Sequence, residues 1–197
     1  MRETPEQLKA LIDRAYKDIN SAAILAEQDP KRPMYHFRSP SQWMDDPNGG
    51  LWHNGYYHMF YCWNPNSYAQ RAGMVYKTAE RVWDPDSEDW TGGIGVWGHA
   101  RSKDLIHWEH LPIAIFPQIE KGEHFIWFGC VRVNKRGLPM AFYTAVGPDR
   151  RPEDTADQWV ALGDKDLINW QPYENNPVLT YSLNGDTRLG EWRDPFI

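Results

Sequence analysis

A chain of 197 residues carrying 21 Lys and Arg against 27 Asp and Glu, a net charge of −6, offers no basic stripe to nucleic acid or to an anionic membrane surface. No apolar run approaches the ~20 residues that cross a bilayer, and the amino-terminal residues contain no apolar signal core. Two cysteines, Cys62 and Cys130, make neither a disulfide framework nor a zinc pattern, so they read as buried reduced thiols and the location as cytoplasmic.

Residues 4–27 predict a helix. Thr4 is placed to cap it, Pro5 suits its first position and Gln7 completes a capping box. Leu8, Leu11, Ile12, Ala15, Tyr16, Ile19, Ala22 and Ala23 recur at helical spacing, with Glu6, Lys9, Arg14, Lys17 and Asp18 elsewhere on the wheel. An amphipathic helix packed on the outside of a sheet domain follows, ended by Asp29-Pro30-Lys31-Arg32-Pro33. Residues 1–30 are thus a helical leader and 31–197 the sheet domain.

From Trp43 to Gly50 the chain reads Trp-Met-Asp-Asp-Pro-Asn-Gly-Gly. Pro47 fixes φ and lacks an N–H, and Asn48-Gly49-Gly50 tolerate left-handed backbone, so the stretch predicts a tight turn that aims an acid. A plain surface turn with solubilising acids fits the same residues. Trp43 and Trp52 flank it, and sugar rings stack on such walls.

Beyond it, Leu51–Trp52, Tyr56–Trp63, Val96–Ala100, Phe125–Val133, Met140–Val146 and Trp159–Leu162 are predicted strands. Eleven Trp, ten Tyr and seven Phe, with 15 Gly and 15 Pro, suit such short strands and tight loops. Lys103-Asp104-Leu105-Ile106-His107-Trp108 recurs as Lys165-Asp166-Leu167-Ile168-Asn169-Trp170, each copy after a strand. Strand-rich repeats of this kind mark β-propeller blades, and the motif is assigned to pinning the turn between the outer strands of a blade.

An ordered set of matches goes further. Arg32-Pro33-Met34-Tyr35-His36-Phe37, Trp43 to Gly49, Gly55 to Tyr61, Asn64-Pro65, Trp97-Gly98-His99-Ala100, Ser102 to Leu105 with Trp108, Leu111-Pro112 and Trp192-Arg193-Asp194-Pro195 resemble, in order and spacing, glycoside hydrolase family 32, the invertases, inulinases and sucrose-6-phosphate hydrolases. The resemblance implies an all-β chain, a five-bladed β-propeller of which only the first blades are present, with an N-terminal α-helix. It implies retaining hydrolysis of β-fructofuranosyl linkages in sucrose, sucrose 6-phosphate or fructans, with a small carbohydrate as the partner and no metal or organic cofactor.

Residue by residue, the resemblance makes Asp46 the nucleophile and Asp194 the transition-state stabiliser, with Arg193 holding Asp194 ionised. Retaining chemistry needs its two reacting carboxyl groups ~5–5.5 Å apart. That spacing holds between nucleophile and general acid; the resemblance itself implies that Asp46 and Asp194 converge at one end of a central channel. Trp43, Trp97, Phe128 and Trp63 are candidates for the sugar wall, and Asp45, Asn48 and Cys62 for further sugar contacts. Three positions depart from the pattern: Asp45 stands for Asn, Cys62 for Gln, and Phe128-Gly129-Cys130 for Ser-Gly-Ser.

The resembled general acid, a Glu in a Glu-Cys pair, has no counterpart here, which leads to the expectation of an N-terminal part of a longer protein. His99 is read as a hydrogen-bonded structural imidazole. The acidic stretch with Trp83, Asp84, Asp86, Glu88, Asp89 and Trp90 matches no cation-loop template and reads as a solvated loop. Fructosyl transfer on the same fold and non-catalytic carbohydrate binding are the alternatives to hydrolysis.

Overall fold

The computed structural model describes residues 4–66, 94–147, 156–187 and 192–197. The acidic stretch at 83–90 lies outside the described residues.

Helix α1 spans Pro5–Glu27. The Thr4 side chain accepts from the Gln7 amide while the Gln7 side chain accepts from the Thr4 amide, so the capping box closes at both ends, a device whose cap is worth about 1 kcal/mol. Leu8, Ala15 and Ile19 form the buried face and pack with Tyr61, Trp63, Ile94, Val96, Ala100 and Ile113 of the sheet beneath. The Tyr16 hydroxyl accepts from the Ile113 amide at 3.0 Å. The helix thus covers the outermost strand of the first sheet and satisfies one of its edge groups.

Eight strands follow: β1 (Trp43–His53), β2 (Tyr56–Asn64), β3 (Val96–Ser102), β4 (Trp108–Ile115), β5 (Phe125–Val133), β6 (Pro139–Val146), β7 (Asp157–Gly163) and β8 (Trp170–Pro172). They form two four-stranded antiparallel sheets in the orders β1-β2-β3-β4 and β5-β6-β7-β8. Each is the meander of one propeller blade. Phe60, Trp97, Ile126, Val131, Tyr143 and Trp159 fill the core shared by the two sheets.

Three sequence expectations change. The stretch Trp43–Gly50 is not a tight turn; it is the first part of strand β1. Its turn-like residues are accommodated as irregularities, because the register against β2 shifts on both sides of Pro47. Strands β4 and β8 escaped prediction. Pro112 and the exposed Glu109 and His110 break the alternation of β4, as an outer strand permits, and β8 has only three residues.

The repeated motif joins β3 to β4 and β7 to β8. In the first copy Leu105 takes a φ of 65° and its carbonyl accepts the Trp108 indole N–H at 3.1 Å; in the second Leu167 takes 62° and accepts that of Trp170 at 2.8 Å. The acid that gathers the turn amides differs. Asp104 accepts from Ile106 and His107, whereas in the second copy Asp164, the residue just before the motif and equivalent to Ser102, accepts from Ile168 and Asn169. The hairpin between β1 and β2 rests on this second turn, with His53 Nε2 2.7 Å from the Lys165 carbonyl and Asn54 Nδ2 donating to it at 2.9 Å.

Two glycines set the approach of backbones. Gly49 has a φ of 89°, and a Cβ on it would lie 3.1 Å from the Val131 nitrogen, so β1 meets β5 almost backbone to backbone. At Gly129 a Cβ would collide with the Phe142 carbonyl of β6, a contact no side-chain rotation relieves.

Candidate active site

Between Met44 and Gly50 the β1–β2 ladder retains one register pair, Pro47 with Tyr61, and Pro47 has no N–H to donate. Asp46 and Pro47 are exposed, Asp45 is half-buried and Asn48 is fully buried. The chain therefore turns Asp46 outward while sinking Asn48 into the protein, although residues two apart on a regular strand share a face, and the register shifts on either side of Pro47 accompany that change.

The surroundings of Asn48 fix its amide. Two N–H groups point at the same end of the side chain, the Trp97 indole at 3.0 Å and the Cys62 backbone amide at 3.1 Å, so that end is the carbonyl oxygen. The Cys62 sulfur lies 3.4 Å from the same atom. The Trp97 indole N–H is shared with the Trp127 carbonyl at 2.9 Å.

The second acid arrives from the other end of the chain. Asp194 adopts a φ of 61°, a left-handed conformation that costs a residue with a Cβ about 1 kcal/mol and that Asp tolerates better than most. Its amide donates to the Thr144 hydroxyl at 2.8 Å, Thr144 donates to Gln158 at 2.9 Å, and Gln158 Nε2 donates to the Trp192 carbonyl at 3.0 Å. Thr144 and Gln158 are buried on β6 and β7, so the blade itself holds the segment. The Arg193 guanidinium stands 5.2 Å above the Trp127 ring, and its Nε is 3.7 Å from Asp194 Oδ2.

The charges of both acids act on one buried group. Burial pushes the Cys62 thiol well above its usual range, and the charges of Asp45, Asp194 and Asp46 add to the rise. Carboxylates from β1 and from the 192–197 segment are thus within electrostatic reach of the same buried sulfur.

The other sequence candidates differ in burial. Trp97 is 0 % exposed and Trp63 3 %, so neither has surface to present; both are core residues, and Cys62 at 5 % sits behind Asn48. Asn48 itself is 0 % exposed. Trp43 is half-buried, and Phe128 packs against the core from its margin. Trp127, Thr144 and Gln158 were not anticipated. The signal for the last two was present, as polar residues inside the apolar runs of β6 and β7.

His99 is structural. Its Nε2 lies 2.9 Å from His58 Nδ1, its ring stacks on Phe60 at 4.0 Å, and it is 1 % exposed. Burial, then the charges of His58 and Arg101, push its pKa down to about 3, and burial lowers that of His58 as well. The folded state therefore binds the neutral ring, and this contribution is complete above the unfolded value of about 6.5 and is lost as pH falls toward 3.

Glu123, fully buried and accepting from the Gln118 amide at 2.7 Å, works in the opposite sense. Burial raises its pKa to about 8, so its contribution is complete below the unfolded value of about 4.5 and is lost as pH rises through 8. Between pH 4.5 and 6.5 the two slopes oppose each other. Thermal melts of Glu123→Gln should therefore fall more steeply with decreasing pH in that window than those of the parent. Parallel curves would contradict this assignment.

Among the described residues no cluster of three or more His, Cys, Asp or Glu is arranged to hold a metal ion, and no helix is long and apolar enough to cross a membrane.

Two adjacent four-stranded antiparallel meanders make this strand-built protein part of a propeller. The glycosyl hydrolases family 32 N-terminal domain matches residues 36–80 and 82–197, and the chain belongs to that family. It is 33 % identical over 173 residues to the acid beta-fructofuranosidase AIV-18 of Capsicum annuum, covering 85 % of this chain and 24 % of that protein. It is 30 % identical over 179 residues to a fructan 6-exohydrolase of Beta vulgaris, covering 90 % and 26 %.

Among solved structures, a family 32 beta-fructofuranosidase of Bombyx mori superposes with a TM-score of 0.61 at 27 % identity, over 98 % of this chain and 34 % of that one; the same enzyme has been solved as a mutant with sucrose. Fructan 1-exohydrolase IIa of Cichorium intybus, a mutant of which has been solved with 1-kestose, gives 0.57 at 31 % identity over 77 % and 24 %. The chain spans about a quarter of the length of these curated relatives.

Proposed function

We propose that this chain supplies the nucleophile and the transition-state stabiliser of a retaining glycoside hydrolase that cleaves β-fructofuranosyl linkages in sucrose, sucrose 6-phosphate or fructans. The observation that carries the reading is the family 32 match over residues 36–80 and 82–197, which takes in both the Asp46 and the Asp194 motifs. The names of the relatives support the fructoside as the substrate class.

In the proposed reaction an Asp46 oxygen attacks the anomeric carbon of the fructosyl unit, the bond to the leaving sugar breaks, and a fructosyl ester forms on Asp46. Asp194 accepts hydrogen bonds from sugar hydroxyls as positive charge develops on the ring, and its negative charge is worth most at that point. Arg193, over the Trp127 ring, places its guanidinium charge beside the Asp194 carboxylate. Water then attacks the ester and returns the Asp46 carboxylate. The family resemblance assigns the leaving-group proton to a Glu of a Glu-Cys pair, which this sequence does not contain.

The test is the stereochemistry of the first product. Full-length protein mixed with sucrose or a short fructan should release β-fructofuranose first, as followed by NMR before mutarotation. The α-anomer appearing first would exclude double displacement. Sugar binding without any release would favour the carbohydrate-binding reading, and oligosaccharide products in place of fructose would favour transfer.

A further inference from the structure

The interrupted ladder around Asp46 leaves a mechanical question, because a nucleophile must be held within a fraction of an ångström of its target. Between Met44 and Gly50 only Pro47 is in register with β2, and it cannot donate a ladder bond. Backbone pairing does not fix the direction of the strand where the acid sits.

A side chain occupies that role. Asn48 is fully buried two residues after Asp46, and its oxygen accepts the backbone N–H of Cys62 on β2 at 3.1 Å. That contact stands in for a missing ladder bond. The same oxygen accepts the indole N–H of Trp97 on β3 at 3.0 Å, and this N–H also reaches the Trp127 carbonyl on β5 at 2.9 Å. One indole donor therefore ties the nucleophile strand to its own sheet and to the next. Trp97 has no freedom to move away from this position. Its ring is fully buried, and its neighbour Gly98 leaves no room for a Cβ beside the Tyr61 ring, so β3 lies close against the residue that pairs with Pro47.

We propose that Trp97 is a positioning residue, which acts through Asn48 to set the direction of the Asp46 carboxylate. The inference rests on the hydrolase reading above and assigns Trp97 a part other than a sugar wall. It requires that the indole N–H, and not only the bulk of the ring, matters for turnover.

The experiment is a double-mutant cycle in the full-length protein on sucrose and short fructans. Trp97→Phe keeps an aromatic ring and removes the donor. It should lower kcat about ten- to a hundredfold, the scale of an ångström-size misplacement, with KM within about twofold of the parent. Asn48→Ala should cost a comparable factor. Because the two act in series, adding Trp97→Phe to Asn48→Ala should lower kcat by less than about twofold more.

Multiplicative losses, or a Trp97→Phe enzyme with parental kcat, would overturn the proposal while leaving the hydrolase reading standing. A parent protein that turns over no fructoside would instead sink that reading and the proposal with it. If Trp97→Phe fails to fold, the indole N–H resonance of Trp97 decides in ¹⁵N-tryptophan-labelled protein. It should shift in Asn48→Ala, and an unmoved resonance would reject the pair.

Discussion

Asp46→Asn is expected to lower kcat on sucrose and short fructans by about four powers of ten or more, with KM changed only a few-fold. The amide has the size and planarity of the carboxylate and occupies an exposed position on the bulged part of β1, so the substitution disturbs no packing. It removes the oxygen that forms the ester, and nothing else in the reaction replaces that bond. Asp45→Asn provides the contrast, because it changes an adjacent, half-buried acid into the residue usual at this place in the resembled family. That enzyme should remain active. Both variants are measured for kcat, KM and thermal midpoint across pH. Turnover surviving in Asp46→Asn and lost in Asp45→Asn would show that the neighbouring carboxylate is the nucleophile.

The helix was legible because its information is local. A cap, a proline and a 3.6-residue period lie within one stretch of chain, and the structure reproduces the capping box atom for atom. Strand β5 was predicted to its end residues for a similar reason, since its apolar run is bounded by polar and turn-forming residues on both sides. The Trp43–Gly50 stretch misled because Pro-Asn-Gly-Gly has the local chemistry of a turn. What makes it a strand is β2 beside it and β5 close across Gly49, neither of which is local.

Trp97 illustrates the same limit at the site. An exposed sugar platform and a buried indole donor have the same residue type and the same apolar neighbours in sequence. The distinction lies in the Trp127 carbonyl and the Asn48 amide, which arrive from β5 and β1. The candidacy of Asp46 and Asp194, by contrast, comes from the motif resemblance. Their support from Asn48, Thr144 and Gln158 depends on contacts between strands and was not readable until the sheets were in place.

Asp194→Asn should lower kcat/KM about a thousandfold, the scale on which removal of one preorganised electrostatic contact acts on a transition state. The substitution isolates charge from conformation. Asn tolerates the left-handed backbone that Asp194 adopts at φ 61°, and the bond that anchors the residue runs from its backbone amide to Thr144, so neither depends on the carboxylate. The Arg193 contact at 3.7 Å is lost, but a pair with its side chains 33 % and 40 % exposed contributes little to stability. Thermal midpoint should therefore stay close to that of the parent while turnover collapses. Thr144→Val offers the complementary case, since it keeps the Asp194 charge and removes the acceptor that holds its backbone; it should cost less in kcat/KM and more in thermal midpoint. An Asp194→Asn enzyme within tenfold of parental kcat/KM would remove Asp194 from the reaction and leave the 192–197 segment a structural role alone.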